Sequence, residues 1–374
     1  MDFALTEDQE LFRGAVREFA VAVLAPAAAA ADEAGRFPPD VLAQTAALGL
    51  FGMLVPEARG GAGVGIVRYG LALEEVARAS AALAAALNAH NALAALPISL
   101  AGSAAQQARW LPSLARGEAL GAGCMVAAGA PTVQAQPIDG GWQLDGAARW
   151  VTNGGAAALY VVFAPVQAAA DRAPAAFLVP AAAPGLASAP VEPVGLRGAA
   201  IADLSLVGCR LAADALLGAP AGGARLAEAA RAVALVGSAA QALGIAQASL
   251  DAALAYAQER QQFGRPIAQF EGLRHLLADV ALAVDTARLL VYRAAWLCER
   301  GRPAARAVAM AKLQAGEAAM LAATKAVQVH GGYGYMRESA VQRYFRDAKV
   351  TQAAEGNALQ QRSAIADALL PGES

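Results

Sequence analysis

Residues 328–361 read QVHGGYGYMRESAVQRYFRDAKVTQAAEGNALQQ, a string that composition alone does not produce. Gly331 and Gly332 carry no side chain, so a backbone there can approach a flat or phosphorylated ligand closely. Arg337, Arg343, Arg346 and Lys349 surround that pair with positive charge. A solvated helix face accounts for some of these cations, but not for the Gly-Gly-Tyr-Gly-Tyr run. Further on, Glu355 and Gly356 close a helical pattern. Taken alone, Glu355 is an ordinary exposed carboxylate in a helix-terminating turn.

A second unusual string lies upstream at 256–267, YAQERQQFGRPI. An amphipathic helix ends there in Arg260, followed by Gln261, Gln262, Phe263 and Gly264. A cation at a helix C-terminus complements the dipole, which explains the charge of Arg260 but not the string around it. Between the two strings Leu273, Leu276, Leu277, Val280, Val284, Ala287, Leu290 and Val291 follow the three-and-four spacing of an amphipathic helix. Similar patterns occupy about 226–258 and 304–329, broken at 264–266 and 301–303. Residues 223–374 therefore predict an up-down bundle of about four helices.

Working outward, residues 120–222 lose the helical period. Short apolar runs at 142–144, 150–152, 159–163, 176–179 and 204–207 alternate with glycine and proline. Asp139-Gly140 and Asp145-Gly146 read as turns between strands, predicting an antiparallel β domain. Residues 1–119 return to helices. Thr6 before Glu7, Asp8 and Gln9 predicts an N-cap with acid in the first turn. Glycines in the loop at 56–65, PEARGGAGVG, interrupt the run before a helix with Leu71, Leu73 and Val76. The expected fold is α+β and mainly α, with helical, β and helical-bundle parts in that order.

The 374 residues are 57% hydrophobic, with 29 Lys+Arg against 31 Asp+Glu, so nucleic acid finds no basic surface. Much of the apolar excess is alanine, a strong helix former that implies no lipid. The uncharged stretch 79–108 contains Asn88, His90, Asn91 and Pro97, which predict a buried helix pair broken near Pro97 rather than a membrane span. The start, MDFALTEDQELF, has no cationic region or cleavage site and predicts no secretion or transit signal. Cys124, Cys209 and Cys298 are scattered, which fits reduced thiols in the cytoplasm. His90, His275 and His330 show no metal-ligand spacing.

Both strings resemble signatures of the acyl-CoA dehydrogenase family: R-x-Q-F-G-x-P-I, Q-x-x-G-G-x-G, R-D-A and a late E-G before Gln. The likeness extends through MDFALTEDQ, 56–63, WVTNGG at 150–155 and 241–247, and so covers the chain in order. It implies FAD between the β domain and the bundle. Trp150, Val151 and Thr152 then match contacts to the isoalloxazine. Arg260 and Gln328, Val329, His330, Gly331 and Gly332 match contacts to the pyrophosphate and adenine half, made across a subunit boundary. Phe263 and Asn357 are further cofactor candidates, and Arg231 and Gly356 substrate candidates. Glu355 matches the base that removes the α-proton of an acyl-CoA or carrier-bound thioester, with the β-hydride passing to flavin N5. The likeness also implies a homotetramer or homodimer and an electron-transfer flavoprotein as acceptor.

Some positions depart from the family pattern. The central T-E-P-G-A-G-S-D motif is replaced by a shorter run from Met125 to Pro131, placing Ala127 where a hydroxyl is expected. Leu235 stands at a usual arginine, with Arg231 one turn earlier. Glu271 replaces glutamine, Ala354 an aromatic and Asn357 threonine. A non-catalytic or half-site subunit of a heteromer is accordingly the second reading, beside a working dehydrogenase.

Overall fold

The computed structural model describes residues 4–125, 133–167 and 174–370. The shortened central loop with Ala127 lies outside the described residues.

The N-terminal part opens with α1 (Glu7–Phe19), whose Thr6–Gln9 capping box satisfies the first orphan N–H groups. A π-turn leads into α2 (Ala25–Ala34), and α3 (Pro39–Ala47) precedes the glycine-rich loop. Then follow α4 (Gly65–Ala79), α5 (Ala81–Asn88), α6 (Leu96–Ala101) and α7 (Ala104–Ala115). The break expected near Pro97 is not there. A π-helical segment, Ala89–Ala95, joins α5 to α6 with the Leu96 N–H reaching back to Asn91. Pro97 is the second residue of α6 in a helical run continuous from Ala81, and the π-helical turns before it accommodate a residue with no N–H to donate. The chain bends instead at Ser80, which is extended and caps α5.

Among the described residues, the middle part forms two four-stranded sheets. Their strands are β1 (Gly121–Cys124), β2 (Gln134–Ile138), β3 (Gly141–Val151), β4 (Leu159–Pro165), β5 (Pro174–Pro180), β6 (Leu186–Pro190), β7 (Ala202–Ala212) and β8 (Leu216–Leu217). One sheet runs β1-β4-β5-β8 and the other β2-β3-β7-β6. Pairing is antiparallel as expected, except that β1 runs parallel to β4. Asp139-Gly140 makes the expected β2–β3 turn, with Ile138 opposite Gly141. Asp145-Gly146 does not turn the chain. It forms a bulge inside β3, so the runs at 142–144 and 150–151 belong to one strand.

The C-terminal part packs α8 (Gly223–Glu259), α9 (Glu271–Glu299), α10 (Ala305–His330) and α11 (Ala340–Thr351), followed by α12 (Ala358–Leu369). The string at 261–266 is a miniature hairpin, β9 (Gln261–Gln262) and β10 (Arg265–Pro266). Phe263 and Gly264 both have positive φ, as a type I′ turn requires.

Alanine and glycine let these helices approach closely. A Cβ added at Gly237 would lie 2.1 Å from Asn88 Oδ1, and one at Gly244 would lie 2.3 Å from the Glu74 carbonyl oxygen. Helix α8 thus passes almost backbone to backbone over α4 and α5, and is apolar nearly all round because it is enclosed. Among the described residues, three stretches are long and apolar enough to cross a membrane by length and composition: Glu7–Ala34, Ala81–Ala101 and Pro220–Glu259. The most apolar part of each of the last two is almost wholly buried within the protein, so their apolar surface faces its core.

Candidate active site

Glu355 follows α11 in a tight turn, at φ +56°, with Gly356 at +106°. A non-glycine residue held in this region is strained, and such outliers concentrate at functional sites. Its carboxylate points inward. Asn88 Nδ2, at the end of α5, donates to Glu355 Oε1 at 3.2 Å. Burial pushes the Glu355 carboxyl up to about 7, opposed by the Lys312 ammonium, the Ser238 hydroxyl, the Arg231 guanidinium and the Asn88 amide. Lys312, buried in α10, donates to the carbonyl of Thr351 at the root of the turn. Arg231 and Gly356 share this corner: a Cβ at Gly356 would lie 3.2 Å from Arg231 Nη2.

Trp150 and Val151 end β3 at a second bulge, and Thr152 follows in the turn. Trp150 has φ +55°, is 72% exposed, and donates its backbone N–H to Asp203 Oδ1 at 2.9 Å. Val151 is buried beneath it. The next residue, Asn153, is fully enclosed and donates to the carbonyls of Ala86 in α5 and Gly121 in β1. Helix α5 therefore carries both the end of β3 and the carboxylate of Glu355.

A second cluster lies at the far end of the bundle. Tyr256, Arg260, Val329, His330, Gly331 and Gly332 line an open groove of about 570 Å³. His330 stacks on Tyr256 with ring centroids 4.2 Å apart, and Arg260 lies over the Tyr333 ring at 5.9 Å. Phe263 is 93% exposed at φ +49°. Gln328 is exposed beside the groove. Gly316 of α10 abuts Thr351, and the helical rise from there to His330 is about 20 Å. The candidate residues thus form two groups, one around Glu355 and β3 and one around Arg260 and Gly331. Asn357 stands apart in role: its Oδ1 accepts the Leu359 and Gln360 N–H groups and caps α12.

The residues present fit an elongated, partly anionic, partly flat cofactor. A Cβ added at Gly331 or Gly332 meets nothing within 4 Å, so packing inside the chain does not require glycine there. Trp150 and Phe263 are strained aromatics that the chain itself leaves uncovered.

Family models for the N-terminal, middle and C-terminal domains of acyl-CoA dehydrogenase match residues 6–118, 118–209 and 221–370. The chain belongs to the acyl-CoA dehydrogenase family. An acyl-CoA dehydrogenase of Bacillus subtilis is 40% identical, with 98% of this chain and 99% of the relative covered. The mitochondrial short-chain specific acyl-CoA dehydrogenase of Mus musculus is 38% identical over 98% of this chain and 91% of its own. Among solved structures, butyryl-CoA dehydrogenase from Megasphaera elsdenii superposes with a TM-score of 0.93 at 34% identity, covering 99% and 100%. PigA with FAD and proline superposes at 0.94 with 25% identity, each chain fully covered. This acyl-CoA dehydrogenase is therefore an FAD-dependent oxidoreductase acting on acyl-CoA.

Several residues of the Glu355 corner were not visible in the sequence. Tyr69, Asn88, Ser238 and Lys312 come from α4, α5, α8 and α10. Lys312 is a cation among Val308, Ala309, Ala311 and Ala315 on an otherwise apolar helix face, and Asn88 was legible as a buried polar residue but not as a partner of Glu355.

Proposed function

We propose that this chain introduces an α,β double bond into an acyl thioester, with Glu355 as the base. The carrying observation is a carboxylate pushed up to about 7 by burial, on a strained turn, facing the helix that anchors the end of β3. A thioester α-proton is a weak acid, and a carboxylate with raised pKa is a better matched base near neutral pH. Glu355 takes the α-proton on a carboxylate oxygen. Lys312 and Arg231 keep enough positive charge nearby for the carboxyl to ionise at working pH.

Trp150, Val151 and Thr152 would hold the flavin of FAD, which when bound would supply the acceptor for the β-hydride. Arg260, Phe263, Gln328, Val329, His330, Gly331 and Gly332 would hold its phosphate and adenine half. By the family resemblance, the second group would serve the flavin of a neighbouring copy in a homodimer or homotetramer. An electron-transfer flavoprotein would reoxidise it. The three unpaired thiols suit a reducing cytoplasm.

Glu355→Gln tests the reading. The variant should bind FAD and stay yellow, yet fail to bleach on adding acyl-CoA, with a rate loss of about 10²–10⁴-fold. Retained bleaching moves the base elsewhere. A wild-type protein that is colourless and takes up no added FAD would favour the half-site subunit of a heteromer.

A further inference from the structure

The Asn88 side chain has every polar atom assigned. Its Oδ1 accepts the Tyr69 hydroxyl at 2.7 Å, and its Nδ2 donates to the Ala234 carbonyl at 3.0 Å. Tyr69 must be the donor here, because burial holds its phenol protonated. The Ala234 carbonyl can only accept. These two partners fix which end of the amide is oxygen and which is nitrogen. The remaining Nδ2 hydrogen is then directed at the Glu355 carboxylate, 3.2 Å away. Asn88 is 1% exposed, so water does not compete for that hydrogen. Gly237 leaves the space in which the amide sits. Two residues back, the Ala86 carbonyl receives Asn153 from the end of β3. One turn of α5 therefore ties down both sides of the place where substrate would react.

We infer that Asn88 is a positioning residue for this dehydrogenase: its Tyr69-locked amide aims one N–H at Glu355 and holds the carboxylate toward the reaction site. The inference rests on the reading of Glu355 as base, but the bond itself does not. A hydrogen bond donated to the ionised form favours that form. The charged and titratable groups facing Glu355 are Lys312 from α10, Arg231 from α8 and Tyr69 from α4, with the Ser238 hydroxyl also from α8. None of the cations is altered by a change at Asn88.

The test is a difference infrared titration of the Glu355 carboxyl in the full-length FAD-loaded protein, with Glu355→Gln identifying the band. Asn88→Ala should move the midpoint up by about half a unit to one unit. Tyr69→Phe, which leaves Asn88 in place but unlocks its amide, should move it up by less. The bleaching rate with butyryl-CoA at pH 6.5 should fall about three- to tenfold in Asn88→Ala and recover toward wild type at higher pH. A midpoint unchanged in Asn88→Ala overturns the inference. If Asn88→Ala does not fold, an unchanged midpoint in Tyr69→Phe overturns it equally. Bleaching that survives Glu355→Gln defeats the base assignment instead, and leaves the infrared result to decide the Asn88–Glu355 bond separately.

Discussion

Glu355 is strained in its backbone and desolvated in its side chain, and both features oppose folding. Its carboxyl is raised in the folded state, so its contribution to stability is present below about 4.5 and lost as pH rises through about 7. Glu355→Gln should therefore melt higher than wild type at pH 8 by a few degrees, with the gap closing toward pH 4. Calorimetry across that range checks it. Activity should run the other way, rising through about pH 7 as the carboxylate forms. Gly237 makes a complementary case. A Cβ there would sit 2.1 Å from Asn88 Oδ1, with Leu73 close behind at 2.9 Å. Gly237→Ala should cost about 1–3 kcal/mol in urea unfolding, and it should slow flavin bleaching by displacing the amide.

At the scale of the element, the π-helical segment after α5 places His90 and Asn91 inward. Asn91 donates to the Leu50 and Leu87 carbonyls, and His90 Nδ1 accepts the Gly121 N–H of β1. Burial lowers His90 to about 4, so it stays neutral in the fold while the unfolded chain protonates below about 6.5. The stability it supplies is present above 6.5 and is lost as pH falls toward 4, amounting to about 3 kcal/mol. Subtracting the pH profile of His90→Gln from that of wild type should isolate this loss, and equal slopes would refute it. The bulge in β3 is the other element with a job. Asp203 fixes the Trp150 N–H, and removing that acceptor frees a strained turn. Asp203→Ala should weaken FAD binding about tenfold in a fluorescence titration.

For the whole molecule, the proposed sharing of one flavin between the Trp150 group of one copy and the Arg260 group of another sets the expectation. A flavin that needs Trp150 of one copy and Arg260 of another can be held only by an assembly. Dilution should therefore release FAD and dissociate subunits together, read by flavin fluorescence and sedimentation. Flavin retained on a monomer would defeat the shared-site reading. The exposed surfaces of Tyr333 and Met336, which line the groove, with the exposed Phe263 and Tyr335 next to lining residues in the chain, are where such a copy would seat.

The helix–sheet–helix order and the family were written in local patterns: three-and-four spacing through 273–291, Thr6 and Asp139-Gly140 as cap and turn, and two strings rich in glycine and arginine. Those signals are local because caps, turns and amphipathic faces depend on residues a few positions apart. Composition does not show where small residues are required: at Gly237 and Gly244, where α8 crosses α5 and α4, larger residues have no room. Asp145-Gly146 misled as a turn because a bulge and a turn use the same residues, and only pairing with β7 distinguishes them. Glu355 could be singled out from its string, but its environment could not. Tyr69, Asn88, Ser238 and Lys312 converge on it from four helices, and burial there, a property of the packed whole, raises an ordinary carboxyl to about 7.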